Sequence, residues 1–106
     1  MITVNIAKNF TRYPSGRYRV NGDSSGEEFR VRFLETPLAR GEDVCVEFDG
    51  TVGYGSSFLE EAFGGIVRSI KKPASYVLDH LSFNSSDESI VEEVRQYIQD
   101  ASDRLK

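Results

Sequence analysis

Two adjacent serines, Ser56 and Ser57, are the side chains of this sequence that are best placed to do chemistry. They follow a buried apolar run and a glycine-containing loop, and an amphipathic segment begins directly after them. In open α/β sheets, functional sites lie outside the carboxyl ends of the strands, where such a loop leads into a helix. Backbone N–H groups and the helix dipole favour an anion there, so a phosphate on either hydroxyl is well accommodated.

The residues around this serine pair provide charge and backbone freedom for a recognition surface. Together with Ser56 and Ser57, the candidate docking residues are Asp49, Gly53, Gly55, Glu60 and Glu61. A phosphate on Ser57 would add about −1.5 to −2 charges near these carboxylates, and repulsion would then weaken the binding of a partner. The residue types therefore favour a surface for a protein partner that phosphorylation can switch off.

Two simpler explanations of the same residues stay open. Ser57 and Glu60 have the spacing of a capping box, in which the hydroxyl only accepts a hydrogen bond from its own helix and stabilises by about 1 kcal/mol. Gly53 and Gly55 have a conformational explanation, because glycine allows positive φ in a tight loop. Phe58 fits the apolar stripe of the following helix and is expected to turn into the core.

Catalytic chemistry has weak support in the sequence. A serine hydrolase would combine Ser57 with His80 as base and with Asp49 or Asp79 as the orienting carboxylate. The run Gly55-Ser56-Ser57-Phe58-Leu59 has leucine where a nucleophile elbow needs glycine, and no Lys-Ser or Lys-Thr follows the loop as in a nucleotide-binding P-loop. One cysteine and one histidine do not make a structural zinc site. We therefore expect a chain that is not an enzyme, with no catalytic residue, metal or cofactor.

The charge is divided unevenly along the chain. Residues 1–40 hold seven Lys or Arg against four acids, and residues 41–106 hold six against thirteen, so the two parts carry +3 and −7. The alternative to a protein-docking module is therefore a nucleic-acid or scaffold module that uses the basic part, namely Arg12, Arg17, Arg19, Arg30 and Arg32. The net charge of −4 makes nonspecific nucleic-acid binding the less favoured of the two.

The first half of the chain predicts two strands and one helix. Residues 1–7 alternate β-branched and polar side chains, as a half-buried strand does, and residues 18–20 alternate well enough for a short second strand. Ser25 and Glu28 have capping-box spacing, which predicts the start of a helix. The helical pattern is expected to continue until Pro37 and Gly41 break it.

The second half predicts two strands and two helices. Residues 43–49 form a near-continuous apolar run, which is typical of a central strand covered on both faces. Residues 58–70 carry an apolar stripe and predict a helix, and residues 75–83 resemble another strand. Residues 85–87 provide caps for a final helix, which is expected to bury its apolar side chains as far as Leu105.

Alternating strands and helices predict one α/β domain over residues 1–106. The expected architecture is a mainly parallel sheet of four or five strands with about three helices. Cys45 has no partner for an internal disulfide and lies in an apolar run, so we expect a buried, unreactive thiol in a reducing compartment. The chain has no pattern of a secretory signal or of a membrane span, which predicts a cytoplasmic protein without a membrane partner.

Three segments resemble a known family over essentially the whole chain. They are Gly16-Arg17, Ser25-Gly26-Glu27-Glu28-Phe29-Arg30 and Gly55-Ser56-Ser57-Phe58-Leu59-Glu60-Glu61-Ala62-Phe63-Gly64, which are similar to the STAS-like domain family of unknown function. The order of Asp49-Gly50, five residues, Ser56-Ser57 and an amphipathic helix also resembles the STAS domains of bacterial anti-sigma-factor antagonists.

This resemblance implies a STAS-like fold and a non-catalytic role in bacterial signalling. In the anti-sigma-factor antagonists, an ATP-binding kinase of the anti-sigma type phosphorylates a serine just after the loop, and Ser57 aligns with that phosphoacceptor. The resemblance therefore implies such a kinase as protein partner. The antagonists have Asp-Ser-Ser-Gly at this point, whereas this chain has Gly55-Ser56-Ser57-Phe58, so the flanking carboxylate and glycine are replaced.

Overall fold

The computed structural model describes residues 1–105, whose strands form one parallel sheet. The strands are β1 (Ile2–Asn5), β2 (Val44–Glu47) and β3 (Leu81–Asn84), and they lie in the order β1-β2-β3. The sequence correctly predicts β2 as the central strand. β1 is shorter than predicted because Asn5 caps a π-helical turn, Ile6–Phe10, with a side chain that accepts a hydrogen bond from the Lys8 N–H.

The described residues form three strands, so the expectation of four or five strands is wrong. Residues 18–20, expected as a strand, belong to an exposed loop in which Arg19–Asn21 form a 3₁₀ turn. Tyr18 and Val20 are 49% and 88% exposed, so their alternation does not mark a face that is buried in a sheet. Alternating residues form a strand only where a neighbouring strand completes the hydrogen bonds.

Five helices accompany the sheet in the described part of the chain, the short π-helix Ile6–Phe10 and four longer ones, whereas about three were predicted. Helix α1 covers residues 26–39 and helix α2 covers residues 56–70, each with a wider π-helical turn between two α-helical segments. The segments of α1 are Gly26–Phe29, Arg30–Leu34 and Glu35–Ala39, and those of α2 are Ser56–Leu59, Glu60–Gly64 and Gly65–Ile70. Helices α3 and α4 are Ala74–His80 and Glu88–Asp103. None of the described helices is long and apolar enough to span a bilayer.

Helix α1 begins as predicted and ends at Ala39, between the two expected breakers Pro37 and Gly41. The Ser25 side chain accepts a hydrogen bond from the Glu28 N–H at 3.1 Å, which confirms the predicted cap. Pro37 does not end the helix, because the π-helical turn lies directly before the segment that contains it. Proline lacks the N–H that would bond to the preceding turn, and a widened turn is a common way to accommodate that loss.

The predicted strand over residues 75–83 is correct only in its last three residues. Residues Ala74–His80 form α3, with Ala74 and Val77 buried three positions apart, and β3 begins at Leu81. A short apolar run fits a helix and a strand equally well, so its neighbours decide between them. In this chain Ser102 of α4 accepts a hydrogen bond from the Ala74 N–H at 2.9 Å and stabilises the start of α3. The predicted burial of Leu105 is wrong, because that side chain is 43% exposed.

The two faces of the sheet differ in their cover. The face with Val4, Val44, Val46 and Leu81 is buried in the core. The opposite face carries polar or partly exposed side chains, namely Thr3, Asn5, Cys45, Glu47, Ser82 and Asn84. The prediction that β2 is covered on both faces is therefore wrong, and Cys45 is partly exposed instead of buried.

Helices α1 and α2 approach each other closely at a glycine. A Cβ atom on Gly26 would overlap the carbonyl oxygen of Phe58 and would lie 3.1 Å from the backbone nitrogen of Ala62. Phe58 is fully buried, as predicted, and its ring lies 6.0 Å from that of Phe29. The contact places the first turn of α2 beside the first turn of α1.

We expect Gly26→Ala to lower the free energy of unfolding by about 1–3 kcal/mol, because the added methyl group would force two backbones apart. Urea denaturation measures this change. The matched control is Gly55→Ser, because a Cβ at Gly55 meets no atom within 4 Å and its φ of −78° suits any residue. The control should change the same free energy by less than about 0.5 kcal/mol. Equal urea midpoints for the two variants would contradict the close contact.

Candidate functional site

The carboxyl ends of β2 and β3 are joined by Asp49 and Ser86. The Asp49 carboxylate follows β2 and accepts hydrogen bonds from the N–H and the hydroxyl of Ser86, both at 3.0 Å. Ser86 lies in the loop after β3. Asp49, a predicted docking residue, is exposed at this edge and also holds the two loops together.

The loop between β2 and α2 is fixed by a tyrosine that the sequence analysis missed. The Tyr54 hydroxyl donates a hydrogen bond to the carbonyl oxygen of Phe48 at 2.6 Å, and the two rings pack edge to face at 5.5 Å. Burial raises the pKa of Tyr54 to about 12. Gly53 has a φ of 144°, which requires glycine, whereas Gly55 has an ordinary φ of −78°. The sequence does contain one indication of this hydrogen-bonded tyrosine, because Tyr54 is an aromatic residue between two glycines of the loop.

Ser56 and Ser57 lie exposed in the first turn of α2. The N-cap is Gly55, which has no side chain to accept a hydrogen bond, and the predicted capping box of Ser57 with Glu60 does not form. Within residues 1–105, neither serine hydroxyl has a hydrogen bond to protein. Both hydroxyls are therefore accessible at a helix N-terminus that favours negative charge.

Two arginines bind Glu60, and with Gly55 as the N-cap the pair of Ser57 and Glu60 is not in capping-box register. The Glu60 carboxylate accepts a hydrogen bond from Arg68 at 2.7 Å and pairs with Arg17 of the loop before α1. Burial alone would raise the pKa of Glu60, but the hydrogen bonds from Arg68 and Arg17 hold it below the ordinary value. Glu60 thus ties the loop of residues 12–22 to α2.

Glu61 is a structural residue that lies between α1 and α2. Its side chain is 9% exposed and forms an ion pair with Arg30, whose side chain is 11% exposed. Arg30 also donates to the Glu61 carbonyl oxygen at 3.0 Å and to the Glu35 carboxylate at 2.8 Å. Arg17 and Arg68 lie 3.4 and 3.5 Å from the same carboxylate. Glu61 was a predicted docking residue, but this burial leaves its carboxylate out of reach of a partner.

Carboxylates neutralise most of the proposed basic face. Arg17 and Arg30 belong to the ion pairs of Glu60 and Glu61, and Arg19 pairs with Glu28 at 2.7 Å. Arg32 lies over the Phe33 ring at 5.0 Å from its centroid. The alternative of an arginine-rich nucleic-acid surface therefore loses most of its charge, although Arg12 is exposed.

The groups of the alternative hydrolase do not meet. His80 Nδ1 lies 2.9 Å from Asp43 Oδ1, at the amino ends of β3 and β2. Ser57 follows the carboxyl end of β2, so the full length of a strand separates it from His80. Asp79 is exposed on α3, beside His80 and at the same far end. Among the described residues, no group of three His, Cys, Asp or Glu side chains could hold a metal ion.

Two exposed apolar side chains lie beside the predicted docking residues. Val52 is 67% exposed and Tyr13 is 62% exposed, and the Val52 N–H donates to the carbonyl oxygen of Arg12 at 2.9 Å. Beside them is an open depression of about 350 Å³ that Asp49, Tyr54 and Ser86 line. We call Tyr13 and residues 49–57 the docking edge. The sequence analysis missed Tyr13 and Val52, because a single apolar residue in a loop has no periodic pattern.

Comparison with known proteins identifies a family whose model matches most of the chain. A family model described as "STAS-like domain of unknown function (DUF4325)" matches residues 25–91, from the cap of α1 through β2, α2 and β3 into α4. The match contains the ion pair of Arg30 with Glu61 and both serines of the docking edge. No curated protein and no solved structure matches the chain.

We expect Glu61→Ala to lower the free energy of unfolding by about 3 kcal/mol, because Arg30 would stay buried with Glu35 as its only carboxylate partner. Glu61→Gln keeps the volume and should have a smaller effect of the same sign. Arg19→Ala is the control, since it removes an exposed ion pair and should cost less than about 1 kcal/mol. Urea denaturation of the three variants measures the order. Similar losses for Arg19→Ala and Glu61→Ala would contradict the structural role of Glu61.

Proposed function

The chain belongs to the family of STAS-like domains of unknown function, and we propose that it is a non-catalytic regulatory module that binds another protein through its docking edge. The observation that carries this proposal is the exposure of two unbonded serine hydroxyls in the same loop-to-helix segment as exposed Val52, whose N–H binds the carbonyl oxygen before exposed Tyr13. Aromatic side chains are enriched at protein interfaces, where they provide large contact areas. Hydroxyls beside them supply the hydrogen bonds of a polar rim.

The rigidity of the docking edge supports a binding role. Tyr54 fixes the loop from within, and the hydrogen bonds of Asp49 to Ser86 fix it from the side. A surface that is ordered before binding loses less conformational entropy when a partner arrives. Separation of His80 from Ser57 argues for binding and against hydrolysis at the same place.

Phosphorylation of Ser57 would act as the switch of this module. The phosphate would stand on the first turn of α2, two residues after Gly55, where the helix dipole favours it. Its negative charge would nevertheless repel an acidic partner. The phosphate group would also fill space that a partner can occupy when Ser57 carries only a hydroxyl. By its resemblance to anti-sigma-factor antagonists, the proposed partner is an ATP-binding kinase of the anti-sigma type in a bacterial cytoplasm.

The combined variant Val52→Asp and Tyr13→Ser should lose the partner. Both side chains are exposed, so the variant keeps its fold, but a charge replaces apolar contact area in the centre of the edge. Affinity purification from the native host followed by quantitative mass spectrometry should show at least about a tenfold loss of the bound kinase. Leu105→Asp is the control, because it places the same charge on an exposed residue just beyond the end of α4. A kinase retained by the first variant, or lost equally by the control, would refute the docking edge.

The variant Ser57→Asp tests the switch separately. It should weaken binding to the purified kinase by about tenfold, whereas Ser57→Ala should bind as the parent does. An acid near a helix N-terminus is stabilising, so the melting temperature of Ser57→Asp should not fall. This excludes unfolding as the cause of weak binding. Equal affinities of Ser57→Asp and Ser57→Ala, measured by calorimetry, would refute the switch and leave the docking edge intact.

A further inference from the structure

Strand β3 forms one edge of the sheet and leaves backbone groups unused. The carbonyl oxygen of Asn84 accepts a hydrogen bond from the Phe48 N–H at 2.9 Å, so the polar backbone groups of Asn84 face β2. These directions alternate along a strand, so the N–H and carbonyl groups of Phe83 face away from the sheet. Such groups are ready to pair with another strand.

A groove of about 510 Å³ lies beside this edge, between β3 and α4. Phe83 and Val91 supply its apolar part, and both are partly buried. The guanidinium of Arg95 lies 5.5 Å from the centroid of the Phe83 ring. The groove lies beside Phe83 and Asn84, the last two residues of the edge strand, so an extended segment has backbone partners there and a place for its side chains.

Charge along the groove indicates what kind of segment fits. Glu88 and Glu92 line it, one turn apart on α4, and both are exposed. Within residues 1–105, neither carboxylate forms an ion pair. Two free carboxylates beside an apolar strip are complementary to a strand that alternates basic and apolar side chains. They also disfavour a second copy of this chain, because pairing β3 with β3 would bring together four carboxylates and only two arginines, the Arg95 of each copy.

We propose that the edge of β3 binds an extended, basic segment of a partner polypeptide, which adds to the sheet as a fourth strand. The added strand pairs with Phe83, places alternate apolar side chains against Phe83 and Val91, and directs lysine or arginine to Glu88 and Glu92. This mode is β-strand addition, in which backbone hydrogen bonds give affinity and side-chain pockets give specificity. The surface is separate from the docking edge, so the two proposals fail independently.

A short peptide that alternates lysine and valine is the probe. Its addition to the labelled domain should slow the hydrogen exchange of the Phe83 amide at least about tenfold, as a new ladder bond forms. Peptides of the same length with glutamate for lysine, or with a central proline that cannot donate a hydrogen bond, should not slow it. Unchanged exchange at Phe83 with the lysine peptide overturns the proposal. Protection of residues 49–57 instead overturns it as well, by assigning the peptide to the docking edge.

The double variant Glu88→Gln and Glu92→Gln tests the charges. It should bind the lysine peptide about threefold to tenfold more weakly, as two exposed ion pairs are lost. Glu42→Gln with Asp103→Asn is the control, since it changes the net charge equally at exposed positions outside the groove and should bind as the parent does. Equal weakening in both double variants would show a general charge effect and would overturn the site. Sedimentation of the free domain as a dimer that the peptide dissociates would also overturn it, by identifying a second copy as the occupant.

Discussion

The buried ion pair between Arg30 and Glu61 is the interaction on which the rest of the structure depends. Removing two charges from water is costly, and their attraction offsets that cost only when further hydrogen bonds satisfy both groups. Here the Glu61 carbonyl oxygen and the Glu35 carboxylate satisfy the arginine, while Arg17 and Arg68 approach the glutamate. The pair thus holds α1, α2 and the loop before α1 in one arrangement.

Close contact of the helices and the ion pairs of α2 have the same origin. Gly26 lets α1 approach the first turn of α2, which brings Arg17 and Arg30 within reach of Glu60 and Glu61. The serines are free for a different reason. The N-cap of α2 is Gly55, so Ser57 lies inside the first turn and is out of register for a capping box with Glu60. The residue at which α2 begins therefore determines that the docking edge presents both hydroxyls to solvent.

The sequence predicts local features well and distant partners poorly. The Ser25 cap, the apolar stripe of α2 and the central position of β2 depend on neighbouring residues, and the structure confirms them. Arg30 and Arg17, two of the partners of Glu61, are 31 and 44 residues away along the chain, so no spacing rule could find them. The helix Ala74–His80 was missed for a related reason, because its first turn is stabilised by Ser102 of a different helix.

A sheet that is covered on one face needs polar side chains on its other face. In β2, every second residue meets this need. Cys45 and Glu47 alternate with Val44 and Val46, so the strand that looked continuously apolar is amphipathic. A narrow sheet also has two edges for one central strand, so a large share of its backbone groups stays unpaired. The edge of β3 ends two residues before Ser86, whose hydrogen bonds reach Asp49. The β3 groove and the docking edge therefore lie near the same, carboxyl end of the sheet but are lined by different residues, while His80 and Asp43 occupy the other end.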